Sequence, residues 1–393
     1  MLAISVAGRD NKQLILIPHI KSVNKEIFKC NLNCPTYKKG DFRVWLLKIV
    51  LTLSGLFHYG YNGIRSKVIK LVPFLSKIIP PVFLYPRYGI EEGNWGSIRL
   101  KGTDHYSDWK LLSSKRFRLQ LNDEQLVRGK IIREKMGIPE DAWFVCLHVR
   151  EQGYLGRDPG HDIRNASISN YLPAIRFITQ KGGYVIRLGD PTMTAIQPME
   201  NVLDYALSEF RSDLMDLYLM SHCRFFFASF SGPYNLAMLF HKPYCMVNAT
   251  DLVYSLPCFS KCMFIPKRFF SKEKQRFISL KEELNSYSEI EICQDYIYVE
   301  NSPEEILETI KEYMFFLENG KFYDTDRLQN EFLDLRRKRH EYLIKQNFIP
   351  NKTKDWLVGT LSAQGRIGNY YLKQCWEDTP YLQKLTNLYN GEE

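Results

Sequence analysis

Neither an internal repeat nor a low-complexity linker interrupts this chain, which excludes solenoid arrays and compositionally disordered segments. No basic region followed by a long apolar core opens it, so no secretory signal is legible. The most lipid-like stretch, Val44–Phe57 (VWLLKIVLTLSGLF), is too short to span a bilayer and carries Lys48 near its centre. It reads either as a buried helix or as a segment inserting shallowly at a membrane surface. P-loop, GxGxxG, kinase and GxSxG signatures are all missing. Their absence removes the best-marked nucleotide-dependent and hydrolase families.

Acidic residues are the scarcer charge. Asp+Glu number 44 against 53 Lys+Arg, a net charge of +9 with histidine neutral. That surplus favours an anionic partner such as a nucleotide phosphate, a nucleic acid or a lipid headgroup. Core material is plentiful: 45% of the 393 residues are hydrophobic and 25% charged, enough for two or three domains without disulfide staples. The 9 cysteines are an odd count and cannot all pair with one another. Cys146, Cys223 and Cys245 sit in apolar runs, where a reduced thiol packs as a small hydrophobe. Cys30/Cys34 and Cys258/Cys262 are too distant from each other to read as halves of one zinc site. A reducing cytoplasm, with no metal, is the expectation.

The early part of the chain is hard to parse. Gln13–Ile17 reads as a strand, Val44–Gly55 and Gly63–Ile79 as helices, Val82–Tyr85 as a strand and Gly89–Asp108 as a long loop. From Leu121 the pattern clears. Asn122 opens a helix closed by Gly137 and released by Pro139. Trp143–Val149 (WFVCLHV), Tyr184–Leu188, Arg224–Ala228 and Tyr244–Val247 are apolar runs of strand length. Helices capped by Ser169 and Ser212, and one with Pro233 in its first turn, alternate with them. Such alternation predicts a parallel sheet covered on both faces. Tyr296–Val299 is a further strand, and Ser302 with Glu305 forms a capping box for a helix ending at Asn319–Gly320. A long basic helix over about 326–346 and an aromatic helical tail follow. The expected boundaries are 1–120, 121–320 and 321–393, with the tail packing back.

Ligands of doubly wound sheets bind beyond the carboxyl ends of the strands. In this chain every such end is polar. Arg150 and Glu151 follow the first run, with His148 just before its end; Arg187, Gly189 and Asp190 close the second; Ser229, Ser231, Gly232 and Asn235 follow the third; Asn248 follows the fourth. Arg150 presents a planar, permanently charged fork suited to phosphate oxygens, or else pairs with Glu151 at the strand end. His148 lies two residues before Arg150 and so on the same face; it reads as a core imidazole or as a base. Glu151, Asp158 and Asp162, in the glycine-rich loop closed by Arg164 and Asn165, are candidate general bases. The basic runs Lys267–Arg276 and Arg336–Arg339 are interrupted by acids or lie next to them, and no nucleic-acid module accompanies them. They read as faces turned to solvent or to a membrane, not to nucleic acid.

The blocks FVCLHVRE (Phe144–Glu151), YVIRLGD (Tyr184–Asp190), RSDLMD (Arg211–Asp216), FFFASFSGP (Phe225–Pro233) and KPYCMVN (Lys242–Asn248) resemble a family of glycosyltransferases from bacterial surface-polysaccharide loci. The resemblance covers about Leu121–Asn319. More distantly, HVR resembles the H-x-R motif of fucosyltransferases with GT-B architecture, whose arginine engages the donor diphosphate. It implies an α/β, GT-B-like chain with two Rossmann-like domains, the N-terminal one reduced. It also implies a metal-independent, cofactor-free transfer of a sugar from a nucleotide-activated donor to a glycan or lipid-linked glycan at the inner face of a membrane. Arg150 would be the donor-phosphate residue and the Ser229–Asn235 loop would hold the nucleotide. The fucosyltransferase motif carries a second arginine and an aspartate nearby, whereas here Arg150 is followed by Glu151, Gln152 and Gly153, so a fucose donor does not follow. An epimerase or hydrolase acting on the donor alone, or a non-catalytic binding subunit, is the alternative.

Overall fold

The computed structural model describes residues 118–155, 162–250, 252, 257, 259–285, 296–321, 327–346 and 363–391, with short segments at 4–6, 13–15, 30–32, 90–92 and 98–100. Two compact units divide it, Met1–Asp104 and His105–Glu393. The first contains two antiparallel pairs, Ile4–Val6 with Gln13–Ile15 and Ile90–Glu92 with Ile98–Leu100. The second pair is a hairpin inside the segment that sequence reads as a loop. Glu91 and Glu92 mask it, because they make a polar stretch of what pairing turns into a strand. The expected helices Val44–Gly55 and Gly63–Ile79, and the strand Val82–Tyr85, lie outside the described residues.

The second unit is built on a seven-stranded sheet. Its strands are β1 (Phe144–His148), β2 (Tyr184–Arg187), β3 (Val202–Leu203), β4 (Phe226–Ala228), β5 (Tyr244–Ala249), β6 (Met263–Pro266) and, far later, Arg366–Ile367. All pairings are parallel. From one edge the order is β3-β2-β1-β4-β5-β6, with Arg366–Ile367 outermost beside β6. Such an order makes the chain reverse direction across the sheet between β1 and β4, the switch point of a doubly wound Rossmann-type sheet. Strands buried on both faces read as continuous apolar runs, and every residue of β1, β4, β5 and β6 is buried.

Local signals place the helices. Asn122 accepts the Gln125 N–H at 2.8 Å and starts α1 (Asp123–Lys135). Gly137, at φ 73°, follows its end in the left-handed region that a Cβ disfavours. Residues 168–171 form a 3₁₀ turn, so α2 (Leu172–Gln180) begins two residues later than a Ser169 cap would place it, with Pro173 in its first turn. Ser212 accepts the Met215 N–H and caps α3 (Asp213–His222). Helix α4 (Tyr234–Leu239) leads into β5. Cys146, Cys223 and Cys245 are buried thiols within this core.

Beyond β6 the chain forms β7 (Arg268–Ser271) and β8 (Arg276–Phe277), then helix α5 (Leu280–Asn285). β9 (Tyr296–Val299) joins β7 and β8 in a separate antiparallel sheet. The Lys267–Arg276 run is therefore not one solvated face. Lys267 and Arg268 are buried, and Arg268 pairs with Glu305 at 2.9 Å. Glu305 also completes the expected capping box with Ser302 at the start of α6 (Pro303–Asn319). The helix α7 (Arg327–Lys345) divides its RRKR segment in the same way. Arg337 and Lys338 are exposed and pair with Asp334, whereas Arg336, Arg339 and His340 face inward. The tail then supplies β10 (Arg366–Ile367), α8 (Asn369–Cys375) and α9 (Pro380–Asn390). Helix α8 packs on α6 and α7 packs on α5. Among the described residues no helix is long and apolar enough to cross a membrane.

The start of α8 carries a pH-dependent contact. Glu312 on α6 accepts the N–H groups of Asn369 and Tyr370 at 2.7 and 3.4 Å. Burial pushes its carboxyl up to about 7 from the ordinary 4.5, against the pull of those two N–H groups. Between these values the folded state holds a proton that the unfolded chain has released, so stability falls as pH rises through that window and stays lower above it. Glu312→Gln keeps the acceptor and removes the charge. It should match the wild type in urea unfolding near about pH 4 and exceed it near about pH 8, by up to roughly 3 kcal/mol at about 1.4 kcal/mol per unit. Equal stability at both pH values would refute this.

Candidate functional site

The switch point is closed at its base by two hydrogen bonds. Ala228 at the end of β4 lies opposite His148 at the end of β1. One residue further, the Ser229 N–H donates to the His148 carbonyl at 3.0 Å. The Arg150 N–H then donates to Ser229 Oγ at 2.8 Å. The main chain of Arg150 is thus fixed while its side chain, half-buried, stands beyond the strand end. Its carbonyl accepts the Ala166 N–H at 2.9 Å, so the loop that leaves at Glu151 returns to the point where it began.

His148 is buried, and its Nδ1 has no hydrogen-bond partner among the described residues. Burial, then the neighbouring Arg150 and Arg187 charges, hold its pKa down at about 4. It is a neutral imidazole at physiological pH. Ser229 is fully buried and Ser231 nearly so, while Gly232 is exposed with open space where a Cβ would stand. Asn235 is exposed and turns back to the Gly232 carbonyl through Nδ2 at 3.1 Å. Arg164 lies over the Phe230 ring at 5.8 Å, which brings the loop's closing arginine beside the Ser229–Gly232 turn. Helix α4 has only six residues, so the fixed positive charge at this edge comes from side chains more than from a helix dipole.

Arg187 and Glu151 have a different place from the expected one. Arg187 has 0% exposure and pairs with Glu151 and, at 3.2 Å, with Asp204. Glu151 Oε2 also accepts the Thr194 N–H at 2.7 Å, and Asp204 accepts the Ile196 N–H at 3.0 Å. A guanidinium enclosed by two carboxylates has no fork left for a phosphate, and a carboxylate held by that guanidinium is a poor base. Sequence reading missed this because Asp204 follows β3, a two-residue strand too short to show a periodicity. Asp190 accepts Thr192 N–H and hydroxyl bonds in its own turn, next to Gly189. Asn248 is likewise structural. It adopts φ 54°, which asparagine tolerates, and exchanges main-chain to side-chain bonds with Asn301 at 2.7 Å in both directions. Its Nδ2 donates to the buried Tyr171 hydroxyl at 3.0 Å.

Of the candidate bases, Asp162 is exposed and hydrogen-bonded to Asn165 at 3.2 Å. Asp158 lies outside the described residues. The site also holds a cation that sequence reading assigned to a solvated run. Lys267, the first residue after β6, is 4% exposed, and its Nζ donates to the Asn165 carbonyl at 2.6 Å. Burial pushes its pKa down, with Glu300 opposing. The apolar run Met263–Pro266 immediately before it is the signal that marks it as one more strand-end residue.

Comparison with known proteins returned no matching family model and no matching curated protein. Among solved structures, the chain is similar to the glycosyl transferase family 9 protein from Veillonella parvula DSM 2008, with a TM-score of 0.25 and 10% identity. The similarity covers 33% of this chain and 36% of that one, so little more than a third of that protein's length is spanned.

Proposed function

We propose that this chain is a GT-B-like glycosyltransferase that binds a nucleotide-activated sugar at the β1/β4 switch point and transfers the sugar to a glycan. The observation that carries the reading is the placement of Arg150. Its main chain is bonded to Ser229 and Ala166 just past the end of β1, beside the switch point where doubly wound sheets hold nucleotides, and the residue is half-buried there. Positive charge fixed there stabilises the diphosphate as it leaves, and a site organised before the reaction does so without reorganisation. Ser231 and Gly232 line the nucleotide side, and the neutral His148 offers Nδ1 as an acceptor to a donor hydroxyl. Asp162, the described carboxylate of the loop not paired to a cation, is the base for an acceptor hydroxyl. The surface-polysaccharide acceptor rests on the sequence resemblance of Phe144–Asn248.

A thermal-shift panel of GDP, UDP, dTDP and CMP with their sugar-linked forms tests the reading. A ligand that binds only the folded state stabilises it by mass action, about 2.7 kcal/mol at a hundredfold excess over Kd. One nucleotide class should raise Tm by several degrees. Silence across the panel would sink the proposal, and turnover of the donor with no acceptor present would favour a hydrolase or epimerase instead.

A further inference from the structure

The Asn165–Ala166 peptide group is bonded on both of its sides. Its N–H donates to the Arg150 carbonyl at 2.9 Å, and its C=O accepts from Lys267 Nζ at 2.6 Å. One peptide group therefore separates the ammonium of Lys267 from the main chain of Arg150, on the order of 7–8 Å. Between β1 and β6 in the sheet stand β4 and β5, so the loop carries this peptide across the strand ends that form the crevice. The ammonium of Lys267 meets it on one side and the main chain of Arg150 on the other.

Lys267 is incompletely served by the protein. An ammonium has three donors, and among the described residues one is used, on a neutral carbonyl. Among the described residues no carboxylate lies within ion-pair distance of it. Glu300, the acid whose charge reaches it, is engaged by the Ser167 N–H at 2.8 Å and Asn170 Nδ2 at 3.1 Å. Buried charges are ordinarily paired, because leaving water is costly and only an opposite charge offsets it. A buried ammonium with no acid partner among the described residues, at the carboxyl end of a strand of this sheet, is best explained by an anion that completes it. The same edge already presents Arg150, and Arg164 stacked on Phe230.

We propose that Lys267 is the second cationic contact of the donor, taking one phosphoryl group of a nucleoside diphosphate while Arg150 takes the other. This deepens the donor-site reading and rests on it. Lys267 does not bear on the nucleobase; it distinguishes a diphosphate from a monophosphate.

The test is isothermal titration of UDP and UMP, GDP and GMP, and dTDP and dTMP against the wild type, Lys267→Gln and Lys267→Arg. Glutamine keeps a donor for the Asn165 carbonyl and loses the charge; arginine keeps the charge. The wild type should prefer the diphosphate of one pair. Lys267→Gln should weaken that diphosphate by about ten- to a hundredfold, the worth of one charge-assisted hydrogen bond, and change its monophosphate by less than about threefold. Lys267→Arg should recover most of the loss. Equal weakening of both nucleotides would show that Lys267 only staples the loop, and unchanged affinity would show no role; either overturns the inference while leaving the donor site standing. A wild type that binds none of the six nucleotides overturns the inference, and one that is silent to CMP and the sugar-linked forms as well overturns the donor reading with it. Tm of each variant without ligand verifies folding, and if Lys267→Gln does not fold, a Lys267→Arg protein without diphosphate preference overturns the inference by itself.

Discussion

Replacing Arg187 with methionine should cost about 3–5 kcal/mol of stability, the range seen when one partner of a buried ion pair is removed. The substitution leaves Glu151 and Asp204 in a largely dry pocket without the guanidinium that neutralises them. The same guanidinium reaches the Thr194 carbonyl, so the 188–204 segment loses its tie to β2 as well. Urea unfolding measures the loss as a fall in midpoint at nearly constant slope. Neutralising the acids together with the arginine, as Arg187→Met/Glu151→Gln/Asp204→Asn, should recover a large part of it. A loss under about 1 kcal/mol for the single variant would mean that water already solvates the two carboxylates.

Arg150→Gln should behave in the opposite way, with stability within about 1 kcal/mol of wild type but a hundredfold or greater loss of nucleoside diphosphate affinity. The asymmetry follows from which atoms do what. The Arg150 N–H and carbonyl hold Ser229 and Ala166, and a side-chain replacement leaves both bonds in place. The charged fork is removed while these main-chain bonds stay. Titration of the nucleotide selected by the thermal-shift panel gives the affinity, and urea unfolding gives the stability. Unchanged affinity in a stably folded Arg150→Gln protein would remove the diphosphate from this strand end.

The contrast between these two arginines explains what the sequence disclosed. β1 is legible because burial on both faces makes Phe144–His148 an unbroken apolar run. Ser302 and Glu305 are legible as a cap because both halves of the motif lie within four residues. Arg150 and Ser229 are legible as strand-end residues, and so as candidates, once the strands are known, since the rule that directs attention there needs no partner. Arg187 shares that position, yet its role depends on Asp204, which no local pattern connects to it. Lys267 and Arg268 are hidden for the same reason. Two consecutive basic residues read as surface, and what buries them is Asn165, far back in the chain, together with Glu305 on a later helix. β10 has two residues and no periodicity to detect; it exists only because β6 offers it an edge.

That late strand sets an order on how the molecule is made. β6 emerges during synthesis roughly a hundred residues before the segment that will pair with its outer edge. Until Arg366 and Ile367 arrive, Met263 and Phe264 present unpaired main chain on a wholly apolar strand, the kind of edge that recruits other nascent strands. The sheet that carries the site is therefore assembled from its centre and sealed last, by a dipeptide. A ribosome stalled between Pro266 and Arg366 would hold a chain whose switch point has been synthesised but whose flank is still adhesive.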